Sequence, residues 1–262
     1  MDRESPGMSL AFKSFAISDL GLHRDGNEDA GLASATLVAV ADGMGGHAGG
    51  EVASKIAIMA LRERQDNAVK SDETLLDITT AIDQRISEKS KESPELSGMG
   101  TTLTALHLLG ESVELLHVGD SRCYAYSGGK LTQLSYDHTV MQELIDQGRL
   151  TPSEALNHPQ RSLLTQALMG DSGIETVLKE FPVKIGDQFL LCSDGLSSVL
   201  SDLQISKILK KHSGQKLLET LVEEVKAKGA PDNVTIILAE VVTQDAASDA
   251  QLQAQLIGAA NV

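Results

Sequence analysis

The sequence predicts an α+β fold, a central antiparallel β-sandwich flanked by pairs of helices. Apolar segments of strand length come in groups, and short breaks such as LGES and GDS divide those of the middle third. Short connections imply antiparallel neighbours. Two helical patterns follow one another after residue 50 and two more after residue 200, so helix pairs alternate with strand groups. No internal repeat or inter-domain linker interrupts the 262 residues, and a hydrophobic content of 41% is enough for a substantial core.

Residues 1–10 read as a loose leader before the run Phe12 to Leu20. Thr36 to Ala41 is continuously apolar, which predicts a strand buried on both faces. After a glycine-rich turn, Glu51 to Arg64 places Val52, Ile56, Met59 and Ala60 on one helical stripe. Asp72 to Lys89 repeats the pattern through Leu75, Leu76, Ile78, Ile82 and Ile86, with Ser71 or Asp72 as cap. The polar break KESPELSG follows.

Thr101 to Leu109, Ser112 to Val118 and Arg122 to Tyr126 then read as successive strands, and Ser127-Gly128-Gly129-Lys130 as a hairpin turn before Leu131. Helical patterns return at Thr139 to Gln147 and Ser153 to Asn157, inside a polar region, about 137 to 172, that predicts an excursion over the surface. Strands follow at Glu175 to Phe181 and Gln188 to Cys192, helices at Asp202 to Lys211 and Gln215 to Lys228, and a last strand at Val234 to Val242. The domain is thus expected over residues 11–243, and the Ala-, Gln-, Asp- and Ser-rich residues 244–262 as a frayed or weakly helical tail.

Composition narrows the function classes. A formal net charge of −15 opposes a phosphate-backbone partner, and four Phe, three Tyr and no Trp leave little for stacking bases, so no nucleic acid is expected. No stretch approaches the roughly 18 apolar residues of a membrane span, and MDRESPGMSL lacks the apolar region of a signal peptide. Cys123 and Cys192 lie in apolar stretches without CxxC spacing; buried free thiols are the default and a disulfide is unsupported. These features predict a cytoplasmic protein, with a monomer as the default.

Four apolar segments meet an acid flanked by Gly or Asn: VAVADG, LLHVGD, LLCSDG and DNVTIIL. Asp42, Asp120, Asp194 and Asp232 therefore sit at strand ends, where a sheet can gather them around a cation. Carboxylates with backbone carbonyls suit Mg²⁺ or Mn²⁺, whereas Zn²⁺ favours His and Cys. Two such ions about 3.5 to 4 Å apart can share a bridging Asp, acidify a bound water and clamp an in-line phosphoryl transfer. Asp42 is the best bridge, because Gly43 lets its own carbonyl approach a metal closely.

The segment from Gly21 to Asp29 adds Arg24, whose planar fork suits two phosphate oxygens, and Glu28, a metal ligand directly or through water; an exposed charged loop is the plainer reading. The turn DGMGGHAGG lacks the Gly-Lys-Ser/Thr ending of a P-loop, so its glycines are read as close-approach positions that open the next helix.

The runs Arg24-x-x-Asn27-Glu28-Asp29, Val40-Ala41-Asp42-Gly43-Met44-Gly45-Gly46-His47, Gly98-Met99-Gly100-Thr101-Thr102, His117-Val118-Gly119-Asp120-Ser121-Arg122, Cys192-Ser193-Asp194-Gly195-Leu196 and Asp232-Asn233-Val234-Thr235 occur in this order. Together they resemble bacterial members of the metal-dependent protein phosphatase 2C (PPM) family of serine/threonine phosphatases over residues 12 to 242. The resemblance implies α-β-β-α layers and a flap at 137–172 beside the active site.

It also implies hydrolysis of phosphoserine and phosphothreonine in proteins, without covalent intermediate, by a hydroxide bridging two Mn²⁺ or Mg²⁺ ions. Asp42 would bridge the ions, Gly43 would give its carbonyl to one, Asp194 and Asp232 would complete the other, and Glu28 would bind largely through water. Asp120 with Asp194 would form a weaker third metal site, and Arg24 would hold the phosphate. The substrates implied are phosphoproteins, products of a serine/threonine kinase.

His47 is the candidate general acid, being near the acids and near-neutral in pKa, with a capping role as the alternative. In the eukaryotic pattern His directly follows Asp-Gly; here Met44 stands there. His117 alternates within an apolar strand and reads as a satisfied core histidine, and His138 as structural or flap-positioning. A phosphatase of small phosphate esters would use the same site, and a non-catalytic binding module of this family would usually lack one or more of the metal acids.

Overall fold

The computed structural model describes residues 9–46, 49–67, 74–155, 158–171, 173–174, 176–247 and 253–261. The first part holds β1 (Leu10–Asp19), β2 (Asp29–Ala33), β3 (Leu37–Met44), α1 (Gly49–Asn67) and α2 (Leu75–Glu92). The middle holds β4 (Gly100–Thr101), β5 (Leu103–Leu109), β6 (Ser112–Val118), β7 (Arg122–Ser127), β8 (Lys130–Gln133), α3 (Val140–Asp146) and α4 (Pro152–Ala155). Then come β9 (Val177–Pro182), β10 (Gln188–Cys192), α5 (Asp194–Ser197), α6 (Asp202–Leu209), α7 (Gly214–Ala227), β11 (Val234–Thr243) and β12 (Gln255–Gly258).

Two antiparallel sheets form. One runs β1-β11-β10-β7-β8; the other runs β12-β2-β3-β5-β6-β9, with β4 paired to β3. The period of two in a strand explains the layers. In β3, Val38 and Val40 point between the sheets, where they meet Phe12, Leu106, Leu191 and Ile237, while Ala39 and Ala41 face Ile58 and Leu61 of α1. Along β10, Leu191 enters the sandwich and Leu190 packs under Ile205 of α6 and Leu217 and Leu221 of α7. Strands apolar on both faces are therefore covered on both faces, in α-β-β-α order. Each large aliphatic side chain buried this way contributes about 1.5 to 3 kcal/mol.

The register of the outer pair sets up the site. β1 and β11 pair from Leu10 opposite Thr243 to Asp19 opposite Val234, which brings the chain after Asp19 beside Asp232. The Leu22 amide then bonds the Ala230 carbonyl at 3.0 Å.

Several elements differ from the sequence expectation. β2 has no counterpart in the sequence expectation, because Asp-Ala-Gly-Leu-Ala has little β propensity; its strand form comes from pairing with β3 on one side and β12 on the other. The cap of α2 is Thr74, in a reciprocal capping box with Asp77, whereas Ser71 and Asp72 lie outside the described residues. The strand expected at Thr101 to Leu109 breaks at Thr102, whose hydroxyl accepts from the Asp42 amide.

The tail is the largest correction. Residues 255–258 form neither a frayed end nor a helix but the edge strand β12 on β2, with Ile257 7% exposed in the core between the sheets. Ala259 and Ala260 are buried after it. Two apolar residues, Leu256 and Ile257, gain burial on an otherwise open sheet edge, a long-range contact that local composition does not encode. Cys123 and Cys192 are free and buried, and they face opposite sides of their sheet, one into the sandwich and one toward the helices.

Candidate metal centre

Asp42 and Gly43 end β3, Asp120 lies in the turn between β6 and β7, Asp194 opens α5 after β10, and Asp232 precedes β11. All of them, with Arg24 and Glu28 from the loop between β1 and β2, line one cleft of about 580 Å³. Strand ends from both sheets thus meet at one end of the sandwich, and residues within 162–171 and 173–174 form the facing wall.

The backbone around Asp42 is clamped from the β4–β5 break. Its carbonyl accepts from the Thr102 amide at 2.9 Å and from Thr101 Oγ1 at 3.0 Å. Gly43 is required by close packing: a Cβ there would stand 2.1 Å from the Gly50 carbonyl oxygen and 2.5 Å from that of Glu28. The Gly43 amide instead donates to Glu28 O at 3.1 Å, joining the two candidate ligands through the main chain.

Asn233 does the same for the Arg24 to Glu28 loop. Its Oδ1 accepts from the Glu28 amide at 2.9 Å, and its Nδ2 donates to the carbonyls of Leu20 and Gly26. Ser54 Oγ, on α1, donates to Glu28 O at 2.6 Å. The side chain that fixes this loop thus belongs to the residue next to Asp232, quoted in the sequence motif without a role.

A further acid joins the cluster. Asp29 pairs with Asp42 across the β2–β3 register, is 1% exposed, and accepts from Ser193 Oγ at 2.7 Å. The sequence assigns it no function; it is the first residue of β2, and its place opposite Asp42 is set by the register of β2 on β3.

The acids strain one another electrostatically. Burial, followed by repulsion from Asp29, Asp194, Asp120 and Asp232, pushes Asp42 well above the usual carboxylate range. Burial and then Asp194 raise Asp120 to about 8. Asp29 rises to about 7, first through burial and then through Asp194 and Asp232, against the lowering bonds of Ser193 and Thr235. Asp194 rises to about 6, through burial and Asp232, while Arg24 pulls it down. Burial also raises Glu28. Like charges crowded out of water in this way are relieved by a cation.

Arg24 supplies part of that charge: its Nη2 lies 2.7 Å from Asp232 Oδ2. Among the described residues no three acidic, histidine or cysteine side chains form a ready-made ligand group. The donor set still fits a hard divalent cation. It offers only oxygens, it carries mutual repulsion, and Gly43 brings main chain to the cleft without a side chain in the way.

His47 lies outside the described residues. His117 is 1% exposed and burial pushes its pKa down to about 3, so it is neutral. Its Nε2–H donates to the Tyr136 carbonyl at 2.8 Å, which leaves Nδ1 to accept from Thr104 Oγ1 at 2.9 Å. His138 Nδ1 accepts from the Gly119 amide at 3.1 Å, and its own amide donates to Gly119 O at 2.8 Å. The start of the 137–172 excursion is thereby stapled beside Asp120.

The sequence profile of the family described as Protein phosphatase 2C matches residues 25–239. The serine/threonine protein phosphatase PstP of Mycobacterium tuberculosis is 44% identical over 241 residues, covering 91% of this chain but 46% of that protein, so the chain spans about half of that relative's length. The serine/threonine phosphatase stp of Listeria monocytogenes is 34% identical over 238 residues, 85% of this chain and 93% of that one. Among solved structures, the PstP catalytic domain in complex with two manganese ions superposes with a TM-score of 0.81 at 41% identity, covering 89% of this chain and all of that one.

Proposed function

This chain belongs to the protein phosphatase 2C family, and we propose that it hydrolyses phosphoserine and phosphothreonine in proteins with the help of Mn²⁺ or Mg²⁺. The observation that carries the proposal is the meeting of Asp42, Asp120, Asp194 and Asp232 with Arg24 in one cleft. Its location at the strand ends of both sheets matches the need for a rigid, charged, shaped site.

Asp42, Asp194 and Asp232 would hold two core ions, with the Gly43 carbonyl and, through water, Glu28. Asp120 with Asp194 would hold a weaker third. Bound ions supply an acidified water and offset charge on the phosphoryl oxygens. Arg24 is proposed to bind the phosphate: its fork matches two oxygens, and on substrate arrival it exchanges the Asp232 carboxylate for the phosphoryl group. The wall from Ser162 to Ile174 limits water and orients the ester. His47, in the glycine turn after Asp42, is the proposed proton donor to the departing serine or threonine oxygen.

The proposed setting is cytoplasmic, on the products of a serine/threonine kinase and as a monomer. The test is hydrolysis of phosphothreonine peptides and of a generic aryl phosphate, with and without added Mn²⁺ or Mg²⁺. Both substrates should turn over only with the cation. Full activity after exhaustive chelation would overturn the metal chemistry, and hydrolysis restricted to small esters would favour the small-ester reading.

A further inference from the structure

Around Met169 the cleft wall is fixed by two holds, and one of them comes from outside the site. At the first, Leu168 exchanges both backbone hydrogen bonds with Thr101: its amide donates to Thr101 O at 2.9 Å and its carbonyl accepts from the Thr101 amide at 3.0 Å. Thr101 in turn bonds the Asp42 carbonyl. At the second, two residues on, the Gly170 amide donates to Oδ1 of Asp83 at 2.7 Å. Asp83 lies on α2, is 6% exposed, and is not part of the cleft lining.

Gly170 is built for this contact. Its φ of +81° favours glycine, and a Cβ would stand 2.6 Å from Cα of Ser87, one helical turn beyond Asp83 on the same face of α2. The wall segment therefore touches the helix backbone directly, and the buried carboxyl fixes the touching residue by its amide. Met169, between the two holds, and Asp171, just after them, line the cleft, and Met169 is 42% exposed to it and to solvent.

We infer that Asp83 is a positioning residue that sets the wall carrying Met169 and Asp171, and through it the acceptance of phosphopeptides as against small phosphate esters. The inference rests on the phosphatase reading of the cleft. A small ester fills the acid end, whereas the chain flanking a phosphoresidue must lie against the wall. Loss of the second hold leaves the Leu168 pair intact, so the acid end keeps its shape while the wall shifts.

The test uses the full chain with Asp83→Ala, Asp83→Asn and Gly170→Ala. Asp83→Ala should raise KM for a phosphothreonine peptide about fivefold with kcat/KM for an aryl phosphate within about twofold. Asp83→Asn keeps an acceptor oxygen for the Gly170 amide and should restore the peptide KM. Gly170→Ala, which pushes the wall off α2, should reproduce the alanine phenotype. Amide hydrogen exchange at Gly170 should accelerate in Asp83→Ala.

Equal losses on both substrates, or unchanged peptide KM, would overturn the inference, as would Gly170 exchange that does not change. A parent protein inactive on both esters with cation present would refute the phosphatase reading separately, since the exchange measurement does not depend on turnover.

Discussion

The guanidinium of Arg24 and the carboxylate of Asp232 are joined by a 2.7 Å ion pair at the mouth of the acidic cleft. Both groups remain partly exposed, with 44% and 32% of their side-chain surface accessible, so the pair is exchangeable. It unites the group expected to bind phosphate with one expected to bind a cation.

Arg24→Ala should therefore separate two effects. Loss of a charge-assisted hydrogen bond to phosphate, worth about 1.5 to 3 kcal/mol, predicts a KM increase of roughly 10- to 100-fold with a smaller change in kcat. The same substitution removes a positive charge beside Asp232, so Mn²⁺ should bind no more weakly than in the parent. Steady-state kinetics and calorimetric titration check the two halves; weaker Mn²⁺ binding would show that Arg24 supports the ion site.

Asp194→Asn tests the acids themselves. Asp194 faces Asp232 and Asp42 and opens α5 just after the packed strand β10, so the amide should fold normally while losing a cation ligand. The loss in kcat/KM should exceed the roughly 100-fold that follows removal of an outer partner in a metal site. Parent-like turnover in a folded variant would show the cluster to be misread.

Cation-free protein should lose stability as pH rises from about 7 to about 8.5. Asp29 and Asp120 have folded pKa values raised to about 7 and about 8, so the folded state binds more protons than the unfolded state above the ordinary carboxylate range. Stability present at low pH is then lost up to the folded pKa. His117 and His107, lowered by burial to about 3 and about 4, act oppositely but complete their effect as unfolded histidine finishes titrating near neutrality. Thermal unfolding with chelator should show a falling Tm across that interval, and saturating Mg²⁺ should flatten it; a rising chelated Tm contradicts the electrostatic account.

Ile257→Ala probes the tail. Ile257 is 7% exposed in the core between the sheets, so its truncation should cost about 2 to 4 kcal/mol, read as a lower urea midpoint at unchanged m-value. A neutral result would mean that β12 contributes nothing to the folded state.

Legibility followed the range of the interactions. Gln188 to Cys192 coincides with β10 because Phe189 to Cys192 lie between packed layers and are apolar for that reason. The stripe Leu75, Ile78, Ile82 and Ile86 likewise predicts the buried face of α2. β2 and β12 escaped the sequence for a shared reason: each is short, and each is a strand through the neighbours it pairs with rather than its own composition. Asn233 and Asp83 carry no pattern of their own, since their partners, the Glu28 and Gly170 amides, are 205 and 87 residues away.

By itself the sequence determined the α+β class, the helix pairs and the acids at strand ends, because periodicity and turn chemistry are local and each apolar run records its own burial. The tertiary structure alone decided that Asp42, Asp120, Asp194 and Asp232 share one cleft with Arg24, that Asp29 joins them, and that the tail closes a sheet edge. Those outcomes depend on the register of β1 against β11 and of β2 against β3. Register is fixed by the simultaneous packing of many distant side chains, which no single segment carries.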